Sequence, residues 1–164
     1  MANRTSWTAG NGVGYTWTTA FNSTDFTGAQ PTTGQILLST VTVSNQSNQD
    51  MFADFSIDQS IASSTIAAGA NFALWVVPAT NAGSYVSGLT AGTAGAATTA
   101  PPAPPNAIIP LYAATTQTTL IGVATGIVIP PGTFKWCMAN NCGFTLTATL
   151  QNWMYRTYNI NLND

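Results

Sequence analysis

The chain has 164 residues and a formal net charge of −2, and 5% of its residues are charged, whereas an ordinary soluble domain carries about 25%. It contains no histidine and no glutamate, so it lacks side chains that commonly perform acid–base catalysis and bind zinc. Three lysine and arginine residues are too few for the basic surface that nucleic-acid binding requires. The composition predicts a protein that is not an enzyme and has no cofactor, no metal site and no nucleic-acid partner.

The length fits a single domain over residues 1–164. Residues 1–7 lack the basic stretch and apolar core of a secretion signal, and no apolar run is long enough for a transmembrane helix. We therefore expect a chain that folds in reducing conditions and has no membrane partner.

Alternation of apolar and polar residues with a period of two predicts β-strands along most of the chain. Threonine, valine, isoleucine and aromatic residues, which favour strands, supply the pattern, and polar or proline–glycine turns separate the runs. The predicted strands are 13–20, 35–44, 50–59, 71–78, 107–112, 118–129, 132–138, 143–150 and 152–160. Nine short strands predict an all-β fold, an antiparallel two-sheet β-sandwich that we expect to be jelly-roll-like.

Two segments depart from this pattern. Residues 1–30 read as an extended N-terminal arm, and residues 79–106 as a long Pro/Gly/Ala-rich loop, which in a compact domain is usually functional or disordered. A short arm or loop cannot bury large apolar side chains by itself, so we predict that those in these segments contact other subunits. The predicted contact residues are Trp7, Trp17, Phe21, Tyr85 and Leu89.

The carboxylates Asp50, Asp54 and Asp58 follow one another along the predicted strand 50–59. Strand residues four apart are separated by roughly 13 Å, whereas paired glycosidase carboxylates stand about 5–9.5 Å apart. We interpret the row as a solvated strand face that discourages edge pairing. A calcium site at Asp54 and a hydrolase using Asp54 or Asp58 are the alternatives.

Cys137 and Cys142 flank the turn between the predicted strands 132–138 and 143–150. If these strands form a hairpin, the two thiols face each other across its mouth, at a spacing that relaxation could close into a disulfide. The alternative is two free structural thiols, which we favour because folding in reducing conditions keeps thiols reduced.

Tryptophan and tyrosine are frequent enough to form a carbohydrate-binding platform. The alternative, which we favour, is that these rings fill the core and the subunit contacts, where aromatic residues are enriched. The residues concerned are Trp7, Trp17, Trp75, Trp136, Trp153, Tyr155 and Tyr158.

Six short stretches carry a resemblance to a known family. They are Thr5–Trp7, Tyr15–Trp17, Ala20–Ser23, Asp50–Asp54, Gly126–Lys135 and Tyr155–Asn159. In them the chain resembles small proteins encoded among the virion genes of tailed bacteriophages and prophages, over most of its length except residues 79–106.

The resemblance implies a structural protein of the virion, a decoration or cement protein on the outer capsid surface. It implies that the partners are the major capsid protein and further copies of the chain, in a homotrimer. The alternative function is a carbohydrate-binding module of a head fibre or tail appendage.

Overall fold

The computed structural model describes residues 4–9, 16–26, 33–80, 85, 100–146 and 151–163, with the backbone alone for residues 4–9, 63, 151 and 161–163. The described residues form ten β-strands and one short 3₁₀ helix, Ser23–Phe26. The strands, in chain order, are β1 (Arg4–Ala9), β2 (Thr18–Thr19), β3 (Ile36–Leu38), β4 (Val43–Ser44), β5 (Phe52–Ile66), β6 (Asn71–Pro78), β7 (Ala107–Pro110), β8 (Ala114–Val128), β9 (Thr133–Asn141) and β10 (Gln151–Asn163).

The strands form two antiparallel sheets that pack face to face. The first sheet has the order β1-β10-β5-β8, with β2 also paired to β10, and the second has the order β3-β9-β6-β7, with β4 also paired to β9. The inner faces of both sheets share one core. The prediction of an all-β, two-sheet antiparallel sandwich is confirmed.

The strand pairs are nested along the sequence. β1 pairs with β10, β3 and β4 pair with β9, β5 pairs with β8, and β6 pairs with β7. Strands from the first half of the chain therefore pair with strands from the second half, in reverse order along the sequence.

Aromatic rings fill the centre of the core. Trp153 on β10 contacts Phe72 on β6 of the other sheet, with ring centroids 5.0 Å apart, and it also packs against Phe21 at 5.6 Å and Phe26 at 5.7 Å. Its indole Nε1 donates a 2.7 Å hydrogen bond to Oε1 of the buried Gln59. Trp153 therefore joins both sheets and the N-terminal segment.

The two sheets are in close contact at Gly122 on β8. A Cβ at this position would overlap Cγ2 of Ile109, a fully buried side chain on β7 of the other sheet. The close packing of the two edge strands thus requires glycine at position 122.

A second apolar cluster covers the outer face of the second sheet. Its buried members are Ile36, Leu38, Ala73, Trp75, Val77, Cys137 and Ala139, with Tyr85 packed against them. Ala103 and Asn106, which precede β7, are bonded to β6: Trp75 Nε1 donates to the Ala103 carbonyl at 2.8 Å, and the backbone N–H of Val76 donates to Oδ1 of Asn106 at 2.8 Å. The described part of the predicted loop 79–106 is thereby tied to the sheet.

Several predicted strand limits differ from the structure. The strand 71–78 is confirmed as β6, whereas 35–44 is divided into β3 and β4. The division falls at Ser39, whose hydroxyl donates to the Ala20 carbonyl and accepts from the backbone N–H of Val41, and this local bonding competes with the strand ladder.

The predicted strand 143–150 is wrong for its described part. Residues 143–146 are not in a strand, and residues 147–150 lie outside the described residues. Buried Asn140 instead organises a turn, because its Oδ1 accepts from the backbone N–H of Cys142 and its Nδ2 donates to the Phe144 carbonyl. Gly143, with φ of 91°, completes that turn.

Candidate functional site

An exposed apolar strip lies on the edge strand β8 and on the connection that leads to it from β7. Its members are Tyr112, Ile121, Val123 and Val128, which are between 54% and 89% exposed. We call this surface the β7–β8 edge. β8 ends the first sheet, whereas Ile108 on β7 is exposed on the outer face of the second sheet, because its neighbour Ile109 points into the core.

The strip arises from the sequence of β8. Leu120, Ala124 and Ile127 point into the core, which places the alternate side chains Ile121 and Val123 on the outer face of the sheet. The run is therefore apolar on both faces, and that is the signal in the sequence that could have identified this surface. Residues 118–129 are predicted as a strand with no assignment of its two faces, so this surface is not predicted.

A shallow pocket opens next to this strip. It has a volume of about 200 Å³ and is lined among others by Ile66, Leu111, Tyr112 and Ile121. Tyr112 is 89% exposed, and its ring is a large apolar surface with a polar tip, which is typical of interface residues. The pocket extends the apolar surface from β8 to the β7–β8 connection.

The predicted contact residues occupy several different environments. Trp17 is partly buried, with its ring 4.7 Å from Cζ of Arg156, and Tyr85 is partly buried over Lys135. The backbone of Trp7 lies in β1 opposite Ile160, its side chain is outside the description, and Leu89 lies outside the described residues.

The burial of Phe21 contradicts the argument by which this residue is predicted to contact another subunit. Its side chain is 1% exposed and packs against Phe26, Phe55 and Trp153. The argument that an N-terminal arm needs a neighbouring subunit to bury its rings is wrong for this residue, because the 3₁₀ helix folds the arm into the core of its own chain.

The acidic row is not a solvated face, and that interpretation is wrong for two of its three members. Asp58 is exposed, but Asp50 and Asp54 are 2% and 5% exposed. Asp50 Oδ1 accepts from Nδ2 of Asn159 at 3.0 Å, and its buried Oδ2 has no hydrogen-bond partner within the described part of the chain.

Asp54 is held by hydrogen bonds from three residues. Arg156 lies directly opposite on β10 and binds Oδ2 through Nε at 3.0 Å and Nη2 at 2.8 Å, while Tyr158 Oη and the backbone N–H of Gly126 each donate to Oδ1 at 3.1 Å. These contacts occupy the carboxylate, so Asp54 is not arranged as a calcium ligand, the alternative considered for it. Burial, followed by the nearby charge of Asp54, raises the pKa of Tyr158.

Three tryptophans do not support the alternative of a sugar-binding platform. Trp136 and Trp153 are fully buried in the core, and Trp75 is buried in the outer cluster. A stacking platform needs ring faces open to solvent, so these three rings cannot supply one.

Cys137 and Cys142 are both free and buried. They do not face each other across a hairpin, because β9 continues through Asn141 and pairs with β6 and with β3. Cys137 belongs to the outer cluster and Cys142 to the main core. The geometry agrees with the expectation of two structural thiols.

Burial raises the pKa of the Cys137 thiol from 9.0 to about 12. The unfolded chain releases this proton near pH 9.0 while the folded chain keeps it, so ionisation favours the unfolded state over this interval. We expect the free energy of unfolding to fall by about 1.4 kcal/mol per pH unit above pH 9 through Cys137. Urea unfolding at pH 8, 9, 10 and 10.5 measures the slope.

The matched control for this prediction is Cys137→Ala, which removes the thiol. The free energy of unfolding of Cys137→Ala should fall less steeply with pH than that of the wild type, by the Cys137 contribution. The remaining slope comes from Cys142, Tyr155 and Tyr158, whose pKa values are also raised by burial. Equal slopes in the two proteins would contradict the assignment.

The described residues contain no group of three or more acidic, cysteine or histidine side chains that could hold a metal ion. No helix in the same ranges is long and apolar enough to cross a membrane. Comparisons with family models, with curated proteins and with solved structures find no match to this chain.

Proposed function

We propose that this chain is a non-enzymatic structural protein of a phage virion that decorates the outer capsid and bridges capsomers. It acts as a homo-oligomer, with a trimer as the expected form, and its partners are copies of itself and the major capsid protein. The observation that carries the proposal is the β7–β8 edge, an exposed apolar strip on a 15-residue edge strand.

Such an edge is a surface for association. A long, apolar edge strand offers unpaired backbone groups and side chains to another chain, and free proteins usually protect edges with charges, prolines or bulges. β8 carries no charged residue, although its register against β5 shifts between Ala53 and Phe55. Exposed apolar side chains on one face of a strand are typical of contact surfaces, so the outer face of β8 suits a contact with another chain.

The distribution of charge supports the same function. Of the four aspartates in the described ranges, Asp25, Asp50 and Asp54 are buried and Asp58 is exposed. Several of the few charged side chains are thus buried and do not lie on the surface. Electrostatic repulsion between copies of the chain is therefore weak. A surface of hydroxyl and amide groups can pack against copies of itself without burying unpaired charges.

The nested strand pairs support a jelly-roll interpretation. If β1 with β2 and β3 with β4 are each counted as one strand, the sheet orders become 1-8-3-6 and 2-7-4-5. This is the order expected of a hairpin rolled into two sheets, and jelly rolls occur in viral capsid proteins and in lectins. Because a fold does not determine a function, the β7–β8 edge carries the proposal.

Mass photometry of the purified protein, followed by sedimentation with empty capsids of the encoding phage, tests the proposal. We expect a discrete oligomer that binds the capsid. The double variant Ile121→Lys/Val123→Lys should be monomeric and should lose capsid binding. The control Thr116→Lys/Thr118→Lys adds the same charge at exposed positions of the same strand and should remain oligomeric.

A wild-type protein that is monomeric at micromolar concentration and does not sediment with capsids would overturn the proposal. Circular dichroism of both double variants checks that they remain folded. Loss of assembly in the threonine variants as well would show that charge, rather than the apolar strip, controls association.

A further inference from the structure

Lys135, the single lysine of the chain, is a nearly buried cation with few partners among the residues that the structure describes. It lies on β9 beside Tyr85 and is 8% exposed. Nζ donates a 3.4 Å hydrogen bond to the Thr40 carbonyl and stands 5.0 Å from the centroid of the Tyr85 ring. An ammonium group has three hydrogens to donate, so these contacts leave it incompletely satisfied.

Lys135 has no counter-ion in the described part of the chain. The ion pair found there joins Arg156 to Asp54 on the other sheet. Asp25 approaches Thr40 from the other side, but its carboxylate accepts from the Thr40 backbone N–H, from Asn22 and from Ser39. Burying a cation without a counter-ion costs free energy. An anionic ligand would supply the counter-ion and remove that cost.

Lys135 opens on a pocket that fits a small ligand. The pocket has a volume of about 630 Å³, within the range of small-molecule sites. Its polar lining includes Thr42, Gln46, Thr80 and Thr133 together with Tyr85 and Lys135. Three hydroxyls and one amide can each donate and accept hydrogen bonds, which is the chemistry that binds a polyol.

We propose that this pocket binds an acidic saccharide. The carboxylate of the sugar accepts hydrogen bonds from Nζ of Lys135, and the ring hydroxyls bond to Thr42, Gln46 and Thr133. Tyr85 holds the ammonium group at the pocket through its ring. This site is separate from the β7–β8 edge and from the tryptophan platform considered above, and it does not depend on the virion role.

Titration of the ¹⁵N-labelled full chain with sodium glucuronate, monitored by backbone amide shifts, tests the proposal. We expect saturable shifts around the pocket. Glucose and sodium acetate should bind at least tenfold more weakly than glucuronate, because glucose lacks the carboxylate and acetate lacks the ring hydroxyls. Lys135→Met keeps the apolar stem, and we expect it to weaken glucuronate binding tenfold or more by removing a charge-assisted hydrogen bond.

Two further variants separate binding from folding. Gln46→Ala alters an exposed lining residue and should weaken glucuronate binding with an unchanged Tm. Thr116→Asp changes the net charge by the same −1 as Lys135→Met at an exposed position on β8 and should bind normally. No saturable glucuronate shifts in the wild type, unchanged binding in folded Gln46→Ala, or acetate binding as tight as glucuronate would each overturn the proposal.

Discussion

Replacing Trp153 with alanine is expected to lower the free energy of unfolding by about 3–5 kcal/mol. The ring is fully buried and contacts Phe21, Phe26, Phe55 and Phe72, so its removal leaves a cavity between the sheets. It also deprives Gln59 Oε1 of the indole donor. Since a domain of this size is stable by about 5–15 kcal/mol, urea unfolding should show a large shift of the midpoint.

Trp17→Ala is the matched control for this prediction. Trp17 is partly buried and contacts the guanidinium of Arg156, so its loss should cost about 1 kcal/mol, the magnitude of an exposed cation–π contact. If both substitutions lower stability by the same amount, Trp153 is not the centre of the core. Trp153→Phe should fall between the two, because it keeps most of the volume but not the N–H group.

The sequence predicts the strands best where one face is apolar and the other is not. In β5 the alternation of Ala53, Phe55 and Ile57 with polar residues predicts both the strand and its buried face. β6 is apolar on both faces, and its two faces enter two clusters, the main core through Phe72 and Leu74 and the outer cluster through Ala73, Trp75 and Val77. Periodicity predicts such a strand but cannot tell what covers its second face.

Local sequence patterns do not predict which strands, distant from one another in the sequence, pair in the sheets. Residues 132–138 and 143–150 read as a hairpin because they are adjacent, yet β9 pairs with β6 and β3, and the side chain of Asn140 ends the strand in a turn. That turn depends on one buried amide, and Asn is as typical of an ordinary hairpin turn as of this arrangement.

The environment of the aspartates is also a property of the tertiary structure. Asp50, Asp54 and Asp58 lie on the same face of the predicted strand 50–59. The sequence therefore gives no reason to expect different environments for them. Asp54 alone faces Arg156 across the β5–β10 pair, about one hundred residues away along the chain. The number of charged residues can therefore be counted from the sequence. Which of them are buried depends on partners whose positions are set by the tertiary structure.

The buried partner makes Arg156→Met the second large prediction, with a loss of about 2–3 kcal/mol in the free energy of unfolding. The substitution keeps an apolar stem but leaves the Asp54 carboxylate, whose side chain is 8% exposed, with the hydroxyl of Tyr158 and the N–H of Gly126 as its donors. It also removes the cation beneath Trp17. Chemical denaturation monitored by tryptophan fluorescence measures the loss.

The double variant Asp54→Asn/Arg156→Met should be more stable than Arg156→Met alone, because it removes the uncompensated buried charge together with its partner. Asn at position 54 still accepts from Tyr158 and Gly126, so the strand pairing survives. Asp58→Asn, an exposed change of the same type on the same strand, should stay within about 0.5 kcal/mol of the wild type. A double variant no more stable than Arg156→Met would mean that the loss comes from packing of the Arg156 stem and not from the stranded carboxylate.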